Sequence, residues 1–324
     1  MIILSALLGA FLASWAGCGA YLKLARRWRL YDHPNERSAH ETPTPRGGGI
    51  GVLLGVFCGT LLAALLGESW PRPYPELLVL AAVLLLLGFQ DDRSGLSVRV
   101  RLPLYALVCV AAVLLLWVDY SWWLKSLAAV YALWVLNLFN FMDGIDGIAA
   151  AEAVFAFGGA ALLGIANGAE GAYPLFCMLL AVASLAFLFW NWSPARLFMG
   201  DTGSVPLGFL LAALSLQGEA GAGTPLVCWL ILLAVFITDA SYTLCWRALH
   251  GEKLTQAHSR HGYQRLARHW HSHSRVVVAM TAYNLLWLLP CAALALHRPG
   301  FSPLCLFLAY APLLPLRWKT DKLP

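Results

Sequence analysis

Charge is scarce in this sequence. Asp, Glu, Lys and Arg make up 12% of the residues, against roughly a quarter in soluble domains. Hydrophobic residues reach 60%, and mean hydropathy is +0.68. Such a chain cannot cover itself with a solvated surface, which excludes a water-soluble globular protein and places it in a bilayer. Also missing are a soluble domain, a long linker, an internal repeat, a low-complexity tract and the inverted pair of broken helices found in many transporters. One membrane domain over residues 1–324 is the simplest organisation. No basic residue precedes the first apolar stretch, whereas Lys23, Arg26, Arg27 and Arg29 follow it. That order argues for a retained helix rather than a cleaved signal. The eight cysteines all fall in apolar runs, so they are expected to be packing thiols and not a disulfide framework.

A helix that crosses about 30 Å of hydrocarbon needs about 20 mostly apolar residues. Eleven runs answer to that description, at 2–22, 48–66, 75–90, 102–118, 122–141, 148–166, 173–190, 204–217, 225–246, 276–296 and 301–316. The run 204–217 is short, and the count falls to ten without it. The expected fold is an all-α, polytopic helical bundle. With eleven spans, 19 of the 22 Lys and Arg residues fall on one side; Arg72, Lys125 and Arg298 fall on the other. Basic residues stay in cytoplasmic loops, so the N-terminus is expected outside and the C-terminus in the cytoplasm. The net charge of +5 then reflects topology, and no nucleic-acid partner is implied.

The polar residues that remain are not scattered. They gather in five loops predicted on the cytoplasmic side: 23–47, 90–101, 140–147, 191–204 and 247–275. The first carries Arg37, His40 and Arg46, which can meet phosphate oxygens, and then Gly47-Gly48-Gly49 at a helix entrance. Such a run lets backbone N–H groups approach an anion, and it equally suits close helix packing. The second holds Asp91-Asp92, followed by Arg93, Arg99 and Arg101. Adjacent carboxylates repel unless a cation or a shared proton relieves them. A hard divalent ion shared with phosphates answers that need. Into and through the third, Asn137, Asn140, Asp143 and Asp146 recur every three residues, a spacing that makes neighbours if the stretch is helical. The fourth places Asp201 between Gly200 and Gly203. The fifth contains His258, His261 and Arg265, together with His269, His271 and His273. These last three alternate without a Cys or carboxylate complement, which reads as a wet basic loop rather than a zinc site.

Taken in order, these segments resemble the polyprenyl-phosphate N-acetylhexosamine-1-phosphate transferases, along nearly the whole chain. The matching pieces are Asp32-x-Pro34-Asn35-x-Arg37-x-x-His40, the Asp91-Asp92 pair, Asn137 through Gly147, Pro194-Ala195-Arg196 through Gly200-Asp201-x-Gly203-Ser204, and the loop bearing His261. The resemblance implies transfer of a sugar-1-phosphate from a UDP-N-acetylhexosamine to undecaprenyl phosphate in the bacterial cytoplasmic membrane. It implies a Mg²⁺ cofactor, with Mn²⁺ as alternative, and it is compatible with a homodimer. Carried over residue by residue, Asp91, Asp92, Asp143, Asp146 and His261 are the expected catalytic groups. Asp201, Asp91 and Asp92 are the expected metal ligands. Arg37, His40, Arg46, Asn137, Asn140, Arg196, His258 and Arg265 are expected to bind substrate. The peptidoglycan branch of the family has a lysine soon after its Asp pair and three successive histidines in its last loop. Here stand Arg93-Ser94-Gly95-Leu96 and Arg260-His261-Gly262-Tyr263, which argues against a peptidoglycan role. The Arg46-Gly47-Gly48-Gly49 run and the Gln256-Ala257-His258-Ser259-Arg260-His261-Gly262-Tyr263-Gln264 stretch resemble more closely the members that initiate O-antigen or related polysaccharides.

Two other classes compete with this reading. A transporter should carry its acidic residues near the bilayer midplane, yet here only Asp239 sits clearly within a predicted span, with Glu152 near an end. A CDP-alcohol phosphatidyltransferase should show Asp-Gly-x-x-Ala-Arg, whereas Asp143-Gly144 is followed by Ile145-Asp146-Gly147-Ile148.

Overall fold

The computed structural model describes residues 1–34, 42–253 and 258–323. Most of these are helical: α1 Ile2–Trp28, α2 Gly49–Leu65, α3 Tyr74–Ser94, α4 Val98–Leu116, α5 Trp122–Phe141, α6 Ile148–Ala166, α7 Ala172–Asn191, α8 Asp201–Gln217, α9 Leu226–Leu232, α10 Ala234–Leu249, α11 Gly262–Trp270, α12 His273–Tyr283, α13 Leu289–His297, α14 Ser302–Tyr310 and α15 Leu313–Thr320. A two-residue strand, β1 Tyr31–Asp32, pairs antiparallel with β2 Thr44–Pro45.

Each of the eleven apolar runs falls on helix. Among the described residues, eight helical stretches are long and apolar enough to cross a membrane, and a ninth is added if α9 and α10 are joined across their 74° bend. The remaining two runs are α2 and α8, each of 17 residues. All-α membrane architecture is therefore what the chain adopts.

Lipid offers no hydrophobic drive between helices, so small residues must let backbones approach closely. In α1 the buried stripe is Ala6, Ala10, Ser14, Cys18 and Ala25. Against it lie Gly51, Gly55 and Gly59 of α2, whose Cα atoms leave no room for a side chain. The most enclosed element is α8, buried from Thr202 to Leu216 and packed on α3 and α5.

The run Gly47-Gly48-Gly49 turns out to serve packing. Gly47 and Gly48 donate their N–H groups to the Phe198 carbonyl at 3.1 and 2.9 Å, and Gly49 donates to the Met199 carbonyl at 3.2 Å. A Cβ on Gly49 would stand 2.0 Å from the Gly203 Cα. These glycines seat α2 on the first turn of α8, and their N–H groups are already satisfied by protein.

Candidate active site

At one end of the bundle, loops far apart in sequence close around a cavity of about 250 Å³. Its wall is formed by Asp32 and Arg46 from the β1–β2 region, Asp92 from α3, Asn140 from α5, Asp143 and Asp146 from the α5–α6 loop, Asn191 from α7, Phe198 to Asp201 and Ser204 around the start of α8, Gln264 from α11 and His273 from α12. A second cavity of about 710 Å³ adjoins it, sharing Asp146, Phe198 and His273, and continues past Thr44, Ser193 and Arg268.

The adjacent carboxylates of α3 are divided between two tasks. Asp91 turns away from the cavity: one oxygen accepts the Leu96 N–H, and the other accepts Arg101 Nη1 at 2.6 Å. Asp92 faces the first turn of α8. Its Oδ1 accepts the Asp201 N–H at 3.1 Å, and its Oδ2 accepts the Thr202 N–H at 3.0 Å and the Thr202 hydroxyl at 2.5 Å. The first N–H groups of a helix have no partner within it, so α3 caps α8 across the bundle. Arg46 stays close, its guanidinium donating to the Asp92 carbonyl and its Nε lying 3.8 Å from Oδ1. Asp201 accepts from Asn140 Nδ2 at 2.9 Å and from Arg101 Nη1 at 3.3 Å. Arg101 thereby bridges Asp91 and Asp201.

The Asn/Asp series does not continue as one helical stripe, because α5 ends at Phe141 and Asp143 and Asp146 follow in a loop. Asn137 lies outside the cavity and bonds back to the Leu133 carbonyl of its own helix at 2.7 Å. Asn140 enters the cavity and also donates to Ser204 at 2.9 Å. Burial, reinforced by Asp201, Asp92 and Asp146, pushes the Asp143 carboxyl up to about 8. Burial also opposes charge on Asp146, but the His273 ring, the Ala195 N–H and Ser193 outweigh it and hold that carboxyl below its usual value. His273 Nδ1 sits 3.2 Å from Asp146 Oδ2. It belongs to the site and not to a wet loop. Its sequence context gave no sign of this, because the contact spans 127 positions.

Several expected residues lie elsewhere. His261 is buried beside Asp239, Nδ1 to Oδ1 3.5 Å, and begins α11. His258 stacks on His261 with ring centroids 4.9 Å apart. Burial and the neighbouring His261, Arg247 and Arg260 push its imidazole down to about 4, so it is neutral at pH 7. Arg265 bonds the Asp321 carbonyl at 2.8 Å, and Arg196 lies over the Trp190 ring at 5.2 Å. Arg37 and His40 fall outside the described residues. The cavity thus unites Asp92, Asp143, Asp146, Asp201, Asn140 and Arg46 from the expected set and adds Asp32, Asn191, Gln264 and His273.

Among the described residues, no three His, Cys, Asp or Glu side chains meet as a ready-made metal cage. Mg²⁺ does not need one, since it is commonly held by one or two carboxylates together with water and substrate phosphates. Asp143 fits that role: it lines the cavity, it is surrounded by like charge, and no described donor bonds its carboxylate. Asp201, on the same wall, supplies a second hard oxygen donor.

A helical, membrane-spanning protein with an acidic, oxygen-rich cavity at one end of its bundle is the class that fold and site define. The chain belongs to glycosyl transferase family 4, whose profile matches residues 74–219. Decaprenyl-phosphate N-acetylglucosaminephosphotransferase of Mycobacterium tuberculosis is 31% identical over 317 residues, covering 84% of this chain and 77% of the relative. A probable undecaprenyl-phosphate N-acetylglucosaminyl 1-phosphate transferase of Bacillus subtilis is 28% identical over 273 residues, covering 80% and 75%. A phospho-N-acetylmuramoyl-pentapeptide-transferase of Synechococcus is 32% identical over 249 residues, covering 67% of each chain.

Proposed function

We propose that the protein transfers N-acetylhexosamine-1-phosphate from a UDP-sugar to undecaprenyl phosphate at the cytoplasmic face of the bacterial inner membrane. The product would initiate an O-antigen or related surface polysaccharide. The observation that carries this reading is the cavity itself, where Asp92, Asp143, Asp146 and Asp201 converge beside Arg46. Like charges gathered in one pocket are unfavourable alone and become useful when phosphates and a cation must meet there. Mg²⁺, or Mn²⁺ in its place, would be held by Asp201 and Asp143 and would neutralise charge on the diphosphate.

The lipid acceptor is a phosphomonoester with a second pKa of about 6. It is already largely dianionic at neutral pH and needs little help from a base. Its oxygen attacks the sugar-bearing phosphorus, the bond to the UMP oxygen breaks, and UMP leaves. The chain's part is positioning and charge stabilisation. Arg46 offers a guanidinium at the wall, and Asn140 orients the Asp201 carboxylate. Both Asp92 oxygens accept bonds from the first turn of α8, which favours direct displacement over an aspartyl-phosphate on that residue. Arg93 in place of a lysine after the Asp pair, and the lack of three successive histidines, favour this reading over a peptidoglycan role. The placement of the carboxylates at one end favours it over transport.

The test is to incubate purified protein, undecaprenyl phosphate and Mg²⁺ with a panel of UDP-N-acetylhexosamines and to score UMP release. Lipid-dependent release with at least one donor is expected. Folded protein that releases no UMP from any donor would overturn the proposal. Exchange of labelled UMP into the donor without lipid, abolished by Asp92→Asn, would reject direct displacement.

A further inference from the structure

A second charged cluster lies outside the acidic cavity, and none of its members is among the groups assigned a role above. Arg317 of α15 is 5% exposed and Asp239 of α10 is 7% exposed. Arg317 donates from Nε to Asp239 Oδ1 at 3.0 Å and from Nη2 to Thr243 Oγ1 at 2.9 Å and the Arg260 carbonyl at 3.0 Å. From Nη1 it donates to Thr320 Oγ1 at 3.0 Å and Asp321 Oδ1 at 2.7 Å. Asp239 in turn accepts the N–H groups of Gly262 and Tyr263, both at 2.8 Å, which open α11. Buried ion pairs are weak evidence for stability, because desolvation offsets much of the attraction. Their use here is better sought in what they hold in place.

They hold α11. From it the Tyr263 hydroxyl donates to the Phe141 carbonyl at 3.0 Å, and Gln264 reaches the acidic cavity. Both press on Gly144: a Cβ there would stand 2.2 Å from the Tyr263 hydroxyl and 2.9 Å from Gln264 Nε2. An unbroken series of contacts therefore runs from Arg317 through Asp239 and the start of α11 to the segment that carries Asp143 and Asp146.

We propose that Asp239 and Arg317 are a positioning pair for the transfer reaction, holding α11 so that Tyr263 and Gln264 set the 141–147 segment. The inference rests on the transferase reading above. Its test measures UMP release by purified Arg317→Met, Asp239→Asn, Arg317→Lys and Tyr263→Phe, with rates corrected for the folded fraction. Misplacement of about 1 Å can cost 10²-fold in rate, so Arg317→Met and Asp239→Asn should lower kcat/KM for the UDP-sugar by roughly tenfold or more. KM for undecaprenyl phosphate should stay near wild type, and Arg317→Lys should recover part of the loss. Tyr263→Phe should lose less, and combining it with Arg317→Met should lose no more than Arg317→Met alone, since residues acting through one contact are not additive. The pair is rejected if folded Arg317→Met and Asp239→Asn match wild type, or if the combined loss is the product of the single ones. Should Arg317→Met fail to fold, wild-type kinetics in both Arg317→Lys and Tyr263→Phe reject it, and reduced donor kcat/KM in either supports it. An inactive wild type would overturn the transferase reading and the pair together. An active wild type with unaffected variants would overturn only the pair.

Discussion

Asp201 stands where contacts from α3, α4 and α5 meet: its N–H bonds Asp92, and its carboxylate accepts from Arg101 and Asn140. Asp201→Ala removes the cavity's anchored oxygen donor and should reduce UMP release by roughly 10²-fold or more, the scale of losing one electrostatic group at a reacting centre. Arg196→Ala, by contrast, removes a guanidinium that lies over Trp190 outside the cavity, and its rate should stay near wild type. Equal activity of the two variants would contradict the placement of the site. Chelation offers an independent check: EDTA should abolish turnover and added Mg²⁺ should restore it, whereas full activity in EDTA would remove the metal from the proposal. The division between Asp91 and Asp92 was not legible in the sequence. Neighbouring residues on a helix point about 100° apart, so only one of the pair can face α8, and adjacency alone does not say which. Asp201 was legible because a lone acid between glycines at the mouth of an apolar run has few other uses.

The first turn of α8 is the hub among the elements. It is capped by α3, seated on α2 through Gly49 and crossed by α5 through Asn140. Gly88 of α3 faces it so closely that a Cβ would stand 2.2 Å from the Asp201 carbonyl oxygen. Backbone cannot rotate aside as a side chain can, so Gly88→Ala should push α3 from α8. The cost should be about 1–3 kcal/mol, as for other overpacked sites, together with a lower kcat. Thermal unfolding of the purified variant and its UMP release check this, and unchanged values in both would show that α3 and α8 slide past one another freely. Helices of this kind were readable because a bilayer demands long apolar runs. By the same logic α11 was not: it has nine residues and an Asp239 cap supplied from 24 positions away, so its start is written in another helix. The place of His273 in the site was not legible for a related reason, since its partner Asp146 lies in a different loop.

Over the whole molecule, the residues around both cavities come from loops and helix ends at one end of the bundle, and the basic residues of the sequence concentrate there. The proposed orientation puts this end in the cytoplasm, where basic loops are retained. Alkaline phosphatase fused after residue 324 should therefore be inactive and the same reporter after residue 120 active; the opposite pattern would invert the topology. Contributions to the acidic cavity run from Asp32 to His273, and α8 receives its cap from a helix more than 100 positions earlier. Neither half of the polypeptide can then build the pocket alone. If the chain is severed at the exposed Gly168 turn between α6 and α7, each fragment expressed singly should be silent. Co-expression should restore activity by complementation, because hydrogen bonds and packing across the cut, rather than peptide continuity, bring Asp92 to the start of α8.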